Sequence, residues 1–354
     1  MRLPRYRTGD AGLDSEVARL VERAGGGENS DLVFELIASA LRMARGSTAR
    51  GDLKIASAAL KEMRYAFHVF GPYRSQRKVA IFGSARTRPD DPLYDQARRF
   101  AAAMAEEGWM VITGAGPGIM TAGIEGAGAD NAFGVSIRLP FEATTSEFIA
   151  DDPKLVNFRY FFTRKLTFVK EAYGFALLPG GFGTLDETFE LLTLVQTGKT
   201  QPAPIVLLDV PGGTYWTSVK DFLARELVDR GYLLPIDPDL ALVTDDVGVA
   251  VEELTRFYRN YHSLRMVEGA LVLRMLQLPS PARLEQINEA FSDILTSGAI
   301  EPTAASAAEI REEDHVDLAR LRLRFDRAQW TRLRRLIDAI NAPRDEAFLG
   351  DTPT

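Results

Sequence analysis

Between Lys78 and Thr244 the chain alternates short apolar runs with stretches whose apolar residues recur at helical spacing. The runs are "KVAIF" (78–82), "WMVIT" (109–113), "FGVSIR" (133–138), "FALL" (175–178), "PIVLLD" (204–209) and "LALVT" (240–244). The amphipathic stretches between them predict helices near 92–107, 118–128, 162–173 and 215–229, with a further helix opened by the glycine-rich loop after residue 178. Apolar strands joined by helices make a parallel sheet with right-handed crossovers and helices on both faces. The expected fold is therefore α/β, a doubly wound parallel sheet of the Rossmann type.

On either side the period is helical. "SDLVFELIASALRMA" opens on a Ser-Asp cap, "GDLKIASAALKEMRYAFHVF" repeats the spacing, and "RGSTARG" reads as the loop between them. Beyond about Asp246, "GVAVEELTRFYRNYHSL", "SPARLEQINEAFSDIL" and "DLARLRLRFDRAQWTRLRRLIDAINA" read as helices and "TSGAIEPTAASAAEIREEDH" as a loop. The expected organisation is an N-terminal helical region (1–76), an α/β core (77–245) and a C-terminal helical extension (246–354).

Composition narrows the chemistry. A formal net charge of -7 over 354 residues argues against nucleic acid as a partner. The chain has no cysteine and three histidines, His68, His262 and His315, so disulfides, a thiol nucleophile and a metal site are not expected. The start, "MRLPRYRTGDAGLDSEV", has no apolar core of a signal peptide, and no run reaches the roughly 20 apolar residues of a membrane span. A cytoplasmic protein with no membrane partner is expected.

Ligands of open α/β sheets sit beyond the C-terminal ends of the strands, and three loops there could hold one. "IFGSART" offers Gly83, Ser84 and Arg86, a close backbone approach with hydroxyl and guanidinium donors. "TGAGPGIM" offers Gly114, Gly116 and Gly118 but fails the dinucleotide fingerprint, because its third glycine would fall at Ile119. A nicotinamide cofactor is thereby disfavoured, and a cradle for one phosphate or ribose is left. In "ALLPGGFGTLDETFELL", Gly180, Gly181 and Gly183 permit positive φ, and Thr184 can cap the helix that follows. Free N–H groups at the positive end of that helix suit an anion. No lysine follows the glycines, so this is not a Walker loop.

Acids then crowd the helix. Glu187 and Glu190, three apart, share a face, whereas Asp186 points elsewhere. Acids in a first turn are ordinarily explained by the dipole alone. Arg164 and Lys165, however, open the preceding helix, against the dipole preference, and such a conflict marks a functional constraint.

"TRK", the fourteen residues that separate Arg164 from Pro179, and "PGGFGT" with two free positions before Glu187 together resemble the signature of the Lonely Guy (LOG) family. These are nucleoside 5'-monophosphate phosphoribohydrolases, formerly labelled lysine decarboxylases. The similarity spans roughly residues 77–245 and includes "IFGSAR" and "GAGPGIM". It implies hydrolysis of the N-glycosidic bond to free base and ribose 5-phosphate, with AMP or a cytokinin riboside monophosphate as the type of substrate and no cofactor. It also implies Arg164 and Glu187 as the essential pair, phosphate held at Gly180–Thr184 with Lys165 beside it, an acidic residue after the third core strand for which Glu142 is the candidate, and a homodimer or higher homo-oligomer. The chain departs from short members by about 76 residues before the core and about 100 after it, and by Phe162 where a polar residue is common.

With a carboxylate near C1' to stabilise the developing oxocarbenium ion or to activate water, the anion loop and Glu187 serve different atoms of one substrate. Arg164 either holds Glu187 and the substrate in register or stabilises the departing base. The alternatives are a non-catalytic nucleotide-binding or sensor protein on the same fold and a pyridoxal-phosphate decarboxylase. The latter needs a Schiff-base lysine and a partner for the pyridinium nitrogen, which Lys165 alone does not supply.

Overall fold

The computed structural model describes residues 3–138 and 146–343. The chain divides into two compact units between Arg64 and Tyr65. The first is helical: α1 (Ala11–Arg23), α2 (Ser30–Arg45) and most of α3 (Arg50–Phe70), around Val17, Val21, Phe34 and Ala38. Asp10 caps α1 by accepting from Gly12 and Leu13 N–H. The expected Ser-Asp cap of α2 is not one, for the helix begins at Ser30 and its N-cap is Asn29, without a side-chain bond.

In the second unit, β1 (Lys78–Phe82), α4 (Pro92–Glu106), β2 (Met110–Thr113), α5 (Ile119–Ala127), β3 (Ala132–Ile137), β4 (Leu155–Phe158), α6 (Phe161–Glu171), β5 (Gly174–Leu177), α7 (Phe182–Gln196), β6 (Ile205–Leu208), α8 (Tyr215–Phe222), β7 (Ala241–Thr244) and α9 (Val247–Arg256) follow in order. Their strands form one seven-stranded parallel sheet, ordered β4-β3-β2-β1-β5-β6-β7. Successive residues of β1 serve opposite cores: Val79 and Ile81 pack with α4, α5 and α9, while Ala80 and Phe82 pack with Phe168, Leu191 and Trp216 of α6, α7 and α8. The sheet is thus doubly wound, as the alternation of runs and helices predicts. β4, "LVNF", is an additional edge strand whose apolar run is interrupted by the exposed Asn157, so that it does not stand out in the sequence.

The C-terminal region departs from the all-helical expectation. It continues with β8 (Tyr261–Val267), β9 (Ala270–Met275), α10 (Pro281–Ala290), β10 (Leu295–Pro302), α11 (Ala307–Arg311), β11 (Ala319–Phe325) and α12 (Trp330–Asn341). The strands form a four-stranded antiparallel sheet, ordered β10-β11-β9-β8. In "ARLRLRF", Leu321, Leu323 and Phe325 face the core and Arg322 and Arg324 face solvent, a period of two embedded in a charge-rich run. The apolar face of this sheet joins the core on the α4, α5 and α9 side of the parallel sheet. On its other face, Glu309 binds the guanidinium groups of Arg274 at 2.6 Å and Arg320 at 3.4 Å, all three buried.

Candidate functional site

The parallel sheet reverses its strand order between β1 and β5, and a doubly wound sheet opens a crevice beyond the C-terminal ends of such neighbours. The loops after β1, β2 and β5 meet there. Ser84 N–H donates to Pro179 O at 3.3 Å and Ile119 N–H to Ser84 O at 3.1 Å, so the first loop is bonded to both others.

Glycine is required at several of these positions for contact within the protein. A Cβ on Gly83 would lie 2.6 Å from Ile119, one on Gly118 2.3 Å from Ser84 O, and one on Gly180 2.1 Å from Thr184 Oγ1. Gly118 also has φ of +68°. Gly114 makes room for Arg164, whose guanidinium would lie 2.4 Å from a Cβ there, and Gly116 makes room for Met120. Gly181 and Gly183 differ, because a Cβ on either would project into open space. Neither they nor Gly180 has positive φ, contrary to the expectation. Their value is the uncovered backbone at the mouth of α7.

That helix begins at Phe182 with Gly181 as N-cap. Thr184 is therefore inside the first turn and caps nothing; it is buried against Gly180, with its carbonyl accepting from Thr188 Oγ1 at 2.7 Å. The N–H groups of Gly181, Phe182 and Gly183 have no backbone acceptor among the described residues. They form an anion-ready helix start. Phe182 is 94% exposed beside it, and Phe161 and Phe162 are half exposed.

Arg164 and Lys165 do not open α6 as expected, for the helix begins at Phe161; Lys165, at the start of its second turn, reaches across to α7. Its ammonium lies 2.5 Å from Glu190, 3.0 Å from Asp186 and 3.1 Å from Glu187. Asp186 thus joins the cluster from which helical spacing separates it, because the flexible lysine stem reaches both sides of the helix. Burial works against the ammonium, yet the Glu190, Asp186 and Glu187 carboxylates outweigh it and hold its pKa above the ordinary lysine value. For Glu187 the balance falls the other way. Its side chain is only 9% exposed, and burial raises its pKa despite Lys165 and, more weakly, Arg164. A carboxyl raised by burial and steadied by an ammonium can exchange a proton or stabilise a neighbouring positive charge.

Arg164 is turned away from the cluster. Its Nε donates to Val135 O at 2.8 Å, and its guanidinium lies 5.2 Å from the centre of the Phe168 ring. Burial lowers its pKa, against the pull of the Glu187 charge. Among the described residues no ion pair joins Arg164 to Glu187, so the lysine of "TRK" is the direct partner and the arginine acts through longer-range charge. Glu142 lies outside the described residues. Among those described, no group of His, Asp and Glu is arranged to hold a metal ion, and no helix is long and apolar enough to cross a membrane.

Sequence reasoning missed Tyr215 and Asp209. The Tyr215 hydroxyl donates to Gly180 O at 2.7 Å, and Asp209, buried at the end of β6, accepts from Tyr215 N–H at 3.0 Å. Position at the C-terminal end of a strand was the available signal for Asp209; no local motif signals Tyr215.

Comparison with known proteins fits this geometry. Residues 117–254 match the family described as "Possible lysine decarboxylase". A cytokinin riboside 5'-monophosphate phosphoribohydrolase of Mycobacterium tuberculosis is 31% identical over 175 residues, 49% of this chain and 90% of its own length. The cytokinin riboside 5'-monophosphate phosphoribohydrolase LOG7 of Arabidopsis thaliana is 32% identical over 94 residues, and the chain spans only 42% of that relative's length. The molybdenum cofactor binding protein of Rippkaea orientalis aligns over 50% of this chain and 94% of its own, with 17% identity and a TM-score of 0.37. The match to nearly the full mycobacterial relative establishes that the chain belongs to the LOG family.

Proposed function

We propose that the protein hydrolyses the N-glycosidic bond of a nucleoside 5'-monophosphate, of the AMP or cytokinin riboside monophosphate type, to the free base and ribose 5-phosphate. The observation that carries this is the placement of a buried, Lys165-steadied Glu187 one turn inside a helix whose first N–H groups have no backbone acceptor among the described residues. The phosphate of the substrate takes those N–H groups and the favourable end of the helix dipole. The ribose then lies over the first turn, where a carboxylate stabilises positive charge developing at C1' and orients or deprotonates the attacking water. Lys165 keeps Glu187 ionised and in place. Arg164, beneath Gly114, supplies a fixed positive charge on the side of the departing base.

The products balance as water added across C1' and the base nitrogen, and the residues present need no cofactor for it. We place the enzyme in the cytoplasm and as a homodimer or higher homo-oligomer.

The test is incubation of the purified protein with AMP, GMP, CMP, UMP and isopentenyladenosine monophosphate, with free base quantified by chromatography. Base and ribose 5-phosphate released in equal amounts support the proposal and rank the substrates. Tight binding without release would replace it with a nucleotide-binding or sensor role.

A further inference from the structure

We infer that Tyr215 is a positioning residue that sets the anion loop, by fixing the orientation of the Gly180–Gly181 peptide. The inference deepens the proposed function and rests on it.

A trans peptide is planar, with its C=O and the following N–H pointing in opposite directions. Whatever grips the carbonyl of Gly180 therefore decides where the N–H of Gly181 points. The grip is the Tyr215 hydroxyl, 2.7 Å from Gly180 O. The N–H on the far side of that peptide is one of the three at the helix start without a backbone acceptor among the described residues. The preceding peptide is held as well, since Pro179 O accepts from Ser84 N–H. Thr184 and Ser84 pack against Gly180 where a side chain would project, and the turn of the following peptide is left to the Tyr215 bond.

Tyr215 is itself fixed from β6. Asp209 accepts from Val210 N–H at 2.9 Å on one oxygen and from Tyr215 N–H at 3.0 Å on the other. Gly213 is required for this turn, because a Cβ there would lie 2.2 Å from the Asp209 carboxylate. The Tyr215 ring stands edge-on to the buried Trp216 at 4.8 Å. The chain of contacts runs from the sheet, through Asp209, to the hydroxyl and the loop. A glycine-rich loop pays most for being ordered, so a preset peptide gains affinity by lowering that cost.

The consequence is specific to the phosphate. Tyr215→Phe keeps the ring and its packing but releases the Gly180 carbonyl. Binding of ribose 5-phosphate and of inorganic phosphate, measured by titration calorimetry, should weaken about three- to tenfold, the size of one lost hydrogen bond. KM for the nucleotide should rise by a similar factor with kcat changed less than about twofold. Cleavage of the corresponding nucleoside, which carries no phosphate, should be unaltered, and the thermal midpoint should confirm that the variant is folded. Equal phosphate binding by wild type and Tyr215→Phe overturns the inference and leaves the proposed function standing. A loss shared equally by nucleotide and nucleoside also overturns it, since that marks a general structural role. Wild-type protein that binds neither phosphate ligand removes the proposed function and the inference with it.

Discussion

Lys165 Nζ lies 3.1 Å from Glu187 Oε2, and this ion pair joins the second turns of two helices that flank one strand of the sheet. It sets a buried carboxyl beside a cation that also serves Asp186 and Glu190. The ammonium therefore tunes the carboxyl, offsetting part of the cost of its burial.

Glu187→Gln should lower turnover by about 10²–10⁴-fold, the range for loss of a positioned acid or base, while ribose 5-phosphate binding stays within about twofold. Single-turnover kinetics with calorimetry separate the two. A rate within tenfold of wild type would remove Glu187 from the chemistry.

The same substitution should stabilise the fold. Burial holds the Glu187 pKa above its unfolded value, so its contribution is favourable below the unfolded value and is lost as pH rises through the folded one. At pH 7 the ionised group is a cost that Gln removes, and Lys165 keeps two other carboxylates. A rise in thermal midpoint of about 2–4 °C is expected, the equivalent of ~1 kcal/mol in a domain of this size. The gain should vanish in mildly acidic buffer.

Lys165→Met should move the acidic limb of the pH–rate profile upward. Without the ammonium, burial and the Glu190 charge raise the Glu187 pKa against only the weaker pull of Arg164. Turnover at pH 7 should fall at least about tenfold and recover in part at higher pH. An unshifted limb would mean that Lys165 does not tune Glu187.

Gly183→Ala separates folding from binding. A Cβ there meets nothing, and the position is helical, so the variant should be as stable as wild type or up to about 1 kcal/mol more so. The added methyl stands in the open mouth of α7, and KM for the nucleotide should rise by about tenfold or more. Gly180→Ala, which collides with Thr184, should instead destabilise the fold itself.

Glu309→Gln tests the C-terminal sheet. Burial works to raise this carboxyl, but the Ser306 N–H and the Arg274 and Arg320 guanidiniums outweigh it and hold the pKa at about 2. Its stabilisation is complete above the ordinary carboxylate value and is lost as pH falls toward 2. The substitution leaves buried guanidiniums short of charge and should cost about 3 kcal/mol in urea unfolding at pH 7. A cost below about 1 kcal/mol would mean that the other partners suffice, Asp314 on Arg274 and the carbonyls of His315 and Leu318 on Arg320.

How far the sequence carried each element depended on the length scale of its signal. β1, β2, β5 and β6 were legible because strands buried on both faces are short apolar runs, and β3 and the edge strand β7, though less buried, keep such a run. β8, β10 and β11 were read as helix or loop because an antiparallel strand with one solvated face spends half its positions on polar residues. In the site, the spacing of Arg164, Lys165, Gly180 to Thr184, Glu187 and Glu190 was visible. The division of labour between them was not.

What the sequence determined by itself is local: the alternation that winds the parallel sheet, the glycine loop that opens α7, and the acids that follow from its second turn on. These follow from periodicity, propensity and the helix dipole, which act within a few residues. The tertiary structure alone decided that Lys165 and not Arg164 grips Glu187, that Gly180 serves Thr184 and Ser84 while Gly181 and Gly183 stay open, and that Tyr215 reaches the loop from beyond β6. Each of these depends on the reach of a side chain or the space beside a backbone atom, set by elements far apart along the chain, and periodicity along one segment does not encode it.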